Sequence, residues 1–153
     1  MTNRLLVFEL NEVPPRLLEH FLKTSDSIGF SRLKKKGYYF STTTTDKGQL
    51  HPWSTWPTVH RGVNNEVHGI RFINQPLESA RENPPVWEIM LKNKITIGLF
   101  GALQSFPPIK NEFVDFYIPD TFAPQSDTIP IGLNDFQRFN LGLSGENKAI
   151  PGK

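Results

Sequence analysis

Apolar residues fall in short runs along the chain, divided by prolines and polar clusters, and the spacing inside each run assigns it. Arg4 to Glu9 holds Leu5-Leu6-Val7-Phe8 and ends in polar residues, the pattern of a buried strand. Pro14-Pro15 suits a first helical turn, and Leu17, Leu18, Phe21 and Leu22 recur at helical spacing to Lys23. A second helix is predicted over Ser27 to Lys36, with Ile28, Phe30 and Leu33 inward and Gly37 as its stop. Tyr38 to Thr42 is aromatic and β-branched, hence a second strand. Trp53 to Gly62 reads as a short helix whose first turn faces the end of strand one, and Asn64 to Asn74 as irregular chain. Pro84-Pro85 opens a helix over Val86 to Asn93, with Val86, Ile89, Met90 and Leu91 packed. Ile95 to Phe100 is the clearest strand, and Phe113 to Ile118 a further one. A last helix around Leu133 to Phe139 precedes a polar stretch, 142–153, expected to be flexible.

Strands and helices in this order predict an α/β protein with a mostly parallel sheet and flanking helices. Ligands in such sheets bind beyond the carboxyl ends of the strands. Glu9, Asn11 and Glu12 follow strand one, and Gly101 to Ser105 follow the strand at Ile95.

Composition narrows the chemistry. At 153 residues the chain can build one ordinary domain. A net charge of +2 gives no reason to expect a nucleic-acid partner, and Lys34-Lys35-Lys36 fits a solvated helix end that complements the helix dipole. With no cysteine, disulfides, thiolate metal sites and cysteine nucleophiles are excluded. No apolar run approaches the roughly 18–20 residues that span a bilayer, and Glu9 interrupts the first run too early for a signal peptide. A cytoplasmic protein without a membrane partner is expected.

Three segments, in order, resemble one family. Leu6-Val7-Phe8-Glu9-Leu10-Asn11-Glu12 resembles the opening strand of the alkaline phosphatase superfamily, where an acidic residue binds a divalent metal. Trp56-Pro57-Thr58-Val59-His60-Arg61-Gly62, then Glu66-Val67-His68-Gly69-Ile70, resembles its nucleophile helix and the His-Gly-Ile that follows. Pro84-Pro85-Val86-Trp87, Ile95-Thr96-Ile97-Gly98-Leu99-Phe100-Gly101 and Ser105-Phe106-Pro107-Pro108 resemble the next helix and strand. The likeness covers residues 4 to 125 and is nearest the type I phosphodiesterase/nucleotide pyrophosphatase branch. It implies an incomplete alkaline phosphatase-like fold, with 1–153 as its N-terminal portion. It implies hydrolysis or transfer at a phosphate or sulfate ester, using two divalent ions (zinc or manganese) in the full-length protein.

The family's pattern assigns Glu9 as a metal ligand, although aspartate is usual there. Counting back from Gly62 by the family's usual spacing lands on Pro52, which has no hydroxyl. The local hydroxyl-x-Pro pattern instead selects Thr55 as nucleophile and metal ligand, with Ser54 as second choice. The family's other ligands come from later sequence, so a missing C-terminal part or a second copy of the chain would complete the site, and this chain alone is expected to be nearly inactive.

The residues also admit plainer readings. Thr55 can be a helix cap, and Glu9 an ion-paired carboxylate. Asn11, Trp53 and His51 are candidate substrate contacts. Asn11 can equally be a turn residue, and Trp53 with Trp56 a packed face. His51, His60 and His68 lack the spacing of a helical metal pair, and His68 suits a backbone hydrogen bond that fixes its loop. Arg61 and Arg71 could hold an anion or lie exposed. A non-catalytic or truncated member of the same fold, acting as a binding protein or having no independent activity, is the alternative function.

Overall fold

The computed structural model of the protein describes residues 4–24, 28–73 and 75–146. The chain divides after Thr43 into two compact units.

The first unit carries helices α1 (Pro15–Thr24) and α2 (Ile28–Lys36). Proline starts α1 as expected, and Leu18 and Leu22, one turn apart, form its half-buried stripe. The Gly37 N–H closes α2 onto the Leu33 carbonyl at 2.8 Å. The predicted start of α2 at Ser27 lies outside the described residues. Phe30 and Leu33, expected inward, are both exposed. The strands predicted at Arg4–Glu9 and Tyr38–Thr42 are not formed. Leu5 is 82% exposed and Tyr38 92%. An apolar or β-branched pattern supplies the side chains of a strand but not its neighbour, and a strand exists only where a ladder satisfies its backbone. None of the unit's described residues is buried.

The second unit holds the core. Its elements are α3 (Pro52–Arg61), the short α4 (Asn65–His68), a 3₁₀ turn (Glu78–Ala80), α5 (Val86–Lys92), β1 (Ile97–Phe100), β2 (Val114–Ile118), another 3₁₀ turn (Ile131–Leu133) and α6 (Asn134–Glu146). β1 and β2 form a two-stranded parallel sheet, with Gly98 opposite Phe116 and Phe100 opposite Ile118. The fold of the described residues is therefore mixed α/β, with a small parallel sheet. Parallel strands need a long return connection, usually helical. Here residues 101–113 make it without a helix. Tyr117 and Ile129 exchange backbone bonds of 2.7 and 2.9 Å, an antiparallel bridge on the far side of β2. Gly98 permits close approach of its partner: a Cβ there would lie 2.2 Å from the Phe116 ring.

Trp87 and Leu91 of α5 pack with Ile97, Ala102 and Tyr117, flanked by Met90, Leu99 and Val114. The inward face of α5 thus differs from the expected one. Leu91 and Met90 are packed as expected, but Val86 and Ile89 are about half exposed. One apolar row had to yield, and the i, i+4 pair that includes the large indole took the core. α6 runs on to Glu146, so 142–146 of the expected flexible stretch are helical. The rest of that stretch lies outside the described residues.

Candidate functional site

The candidate hydroxyls sit on the first turn of α3, which local sequence builds from both ends. His51 is the N-cap in extended conformation and makes no side-chain capping bond. Pro52 follows at the position where a missing N–H is harmless. At the other end Gly62 takes φ 69°, and its N–H bonds the Thr58 carbonyl, a left-handed cap that glycine adopts without strain. Pro57 sits inside the helix and is fully buried. It cannot donate to the carbonyl of Trp53 four residues earlier. The Gln104 side chain replaces the lost donor, its Nε2 lying 3.2 Å from that oxygen.

A buried polar lattice joins α3 to α4. Asn64 caps α4 by accepting from the Glu66 and Val67 N–H groups. The Ile70 N–H donates to His68 Nδ1 at 3.0 Å, which leaves the ring proton on Nε2. That nitrogen faces Thr58 Oγ1 at 3.0 Å, and the Thr58 hydroxyl donates onward to the Asp46 carboxylate at 2.8 Å. Asp46 also accepts from the Asn65 N–H at 2.7 Å. Asn65 Nδ2 donates to the Lys47 carbonyl at 3.0 Å and to Ser54 Oγ at 3.1 Å. Burial holds the His68 imidazole below its ordinary range; Asp46 opposes this, while Arg61 and Arg71 reinforce it. A neutral ring is what a nitrogen accepting from Ile70 requires. The His-Gly-Ile segment therefore fixes a loop, as the plainer reading of His68 holds.

Thr55, Ser54, His51 and Trp53 share the start of α3, but their side chains differ in access. Thr55 is half-buried and donates to the His51 carbonyl at 3.1 Å. Ser54 is fully buried beneath Asn65. His51 stacks on Trp53 with ring centroids 4.9 Å apart and meets Gln49 Oε1 at 3.2 Å. Pro52 has no N–H, and those of Ser54 and Thr55 turn onto the His51 carbonyl, so only the Trp53 N–H of this turn lacks a helical acceptor. Glu9 and Asn11 belong to the first unit, where both are exposed. Arg61 and Arg71 are committed to carbonyls, Arg61 to those of Ala80 and Asn83 and Arg71 to that of Lys47. Among the described residues no group of three or more His, Asp or Glu side chains is arranged to hold a metal ion.

Sequence reasoning missed a second polar center, beyond the carboxyl ends of β1 and β2. Asp120 is 4% exposed and accepts from the Gln104 and Phe122 N–H groups, each at 2.8 Å. Burial pushes its carboxyl above the ordinary range, against those two bonds. The fully buried Gln137 of α6 reaches the Asp120 carbonyl at 3.0 Å. Gln104 is held at φ 60°, uncommon for a residue with a Cβ. The signal for Gln104 was a proline inside a helix, which announces an orphaned carbonyl. Nothing in the local pattern announces Asp46 or Asp120. No protein-family model, no curated protein and no solved structure matches the chain.

Proposed function

We propose that this chain forms the N-terminal part of a metal-dependent hydrolase or transferase for phosphate or sulfate esters, related to the alkaline phosphatase superfamily, with Thr55 as its nucleophile. The observation that carries the reading is the contrast on the first turn of α3. Thr55 is a half-buried residue, where Ser54 is sealed, and the Asp46–Thr58–His68 lattice fastens the helix that bears it. A nucleophile has to be held in place to react, and this helix is pinned at its middle and end.

Divalent ions would lower the pKa of a threonine hydroxyl and neutralise charge on the ester oxygens. The reading assigns Glu9 and Thr55 as ligands. The described residues do not complete a metal site, so the further ligands would come from outside them. The reading is tested by calorimetric titration of zinc and of manganese into the whole chain, alongside Glu9→Gln and Thr55→Val. Loss of a direct ligand should weaken binding by at least the roughly tenfold seen when outer-shell partners are removed. Equal binding by all three proteins contradicts it.

One observation favours the rival, a binding protein without catalysis. The Thr55 hydroxyl is turned onto the His51 carbonyl, and Ser54 is sealed. On that reading Thr55→Val leaves metal binding unchanged.

A further inference from the structure

A cavity of about 530 Å³ opens in the second unit, walled by the end of α3, the first 3₁₀ turn, α5 and the loop leaving β1. Its size falls within the range of small-molecule sites. Two opposite charges belong to its wall: Arg61, the last residue of α3, and Glu88, on the first turn of α5. Both are half-buried, so neither is sealed and neither is fully solvated. Partial burial lowers the pKa of the Arg61 guanidinium, and the Glu88 charge opposes that. The same carboxylate acts on the Tyr117 phenol, which burial and then Glu88 push above its ordinary range. Both groups that feel Glu88 line the cavity, which places its charge on that side of α5.

The two charges nevertheless stay apart. Among the described residues neither Arg61 nor Glu88 takes part in an ion pair. Arg61 is fixed by main chain, its Nη1 donating to the Ala80 and Asn83 carbonyls. The N–H groups of Nη2 and Nε are left for an anion. Charges taken partly out of water are costly unless paired. A fixed cation and a fixed anion on one wall therefore suit a molecule that carries both signs.

The rest of the lining sets the rest of that molecule. Leu77, Phe106 and Ile109 are half-buried and supply an apolar surface. Glu78, Arg81, Lys92 and Asn111 also line the cavity, but all four are exposed, where water and salt screen charge. Their balance is positive and adds to the attraction for a carboxylate.

We propose that this cavity binds a small apolar amino acid, with Arg61 taking its carboxylate, Glu88 its ammonium group, and Leu77, Phe106 and Ile109 its side chain. The proposal does not rest on the ester-hydrolysis reading, and the cavity contains neither Thr55 nor Ser54.

The test is a saturation-transfer NMR titration of the whole chain with L-phenylalanine, with 3-phenylpropionate, which lacks the ammonium group, and with 2-phenylethylamine, which lacks the carboxylate. Phenylalanine should bind saturably, and each analogue about tenfold more weakly, the loss of roughly one charged hydrogen bond. Glu88→Gln, checked for an unchanged thermal unfolding midpoint, should weaken phenylalanine about tenfold and leave 3-phenylpropionate as it was. A general loss of structure would instead weaken both acids. Three results overturn the proposal. Phenylalanine fails to bind at millimolar concentration; or 3-phenylpropionate binds wild type as tightly as phenylalanine, which makes the cavity a plain anion site; or the folded variant holds phenylalanine as well as wild type does. The wild-type comparison decides by itself if the variant does not fold.

Discussion

Thr58 links the two halves of the α3–α4 lattice, receiving from His68 and giving to Asp46. Thr58→Val keeps the shape and removes both bonds, leaving a buried ring N–H without its acceptor. The expected loss is roughly 1–3 kcal/mol, read as a lower denaturant midpoint at unchanged slope. His68 adds a pH dependence. Its folded pKa is depressed, chiefly by burial, so the unfolded chain binds this proton more readily. That contribution is complete above the ordinary histidine value of about 6.5 and is lost as pH falls from there through the lower folded value. Asp120 works in the opposite sense at more acid pH, since its folded pKa is raised and its stabilisation is lost as pH rises. Unfolding measured from neutral pH into the mildly acid range should show a falling midpoint, with the fall reduced in His68→Gln; equal slopes contradict the assignment. His68 was visible in the sequence because it carries a local rule, a loop-fixing ring. Asp46 was not, because its partners lie 12 and 19 residues away across a segment with no periodicity.

Among elements, α3 shows how a local fault is repaired from a distance. Gln104 supplies the donor that Pro57 removes, 51 residues away from the carbonyl it serves. A double-mutant cycle isolates this. Gln104→Ala should destabilise wild type but do less harm in Pro57→Ala, where residue 57 can again donate to Trp53. A coupling of about 1 kcal/mol is expected from chemical denaturation, and strict additivity would contradict the repair. Periodicity made α1, α3, α5, β1 and β2 legible to within a residue or two. It failed at Arg4–Glu9 and Tyr38–Thr42, where side-chain pattern suggested strands and no ladder formed. It failed also for the inward face of α5, because Trp87 outweighed the smaller residues beside it. The site divides the same way. Thr55 and Ser54 were both visible as hydroxyls at a helix start, but only the packing of Asn65 marks Ser54 as the sealed one.

At the scale of the molecule, the two units differ in what holds them. The second has an aromatic core around Trp87 and Tyr117; the first has no buried side chain among its described residues. No described helix is long and apolar enough to cross a membrane. The functional reading assigns Glu9 and Thr55 as metal ligands. Residue-resolved NMR of the whole chain during a manganese titration tests this directly. The reading predicts that amide signals at Glu9 and at Trp53 to Trp56 broaden first, and that Thr55→Val diminishes the effect at Trp53 to Trp56. Broadening confined to other residues, or broadening at Trp53 to Trp56 that Thr55→Val leaves unchanged, would contradict it.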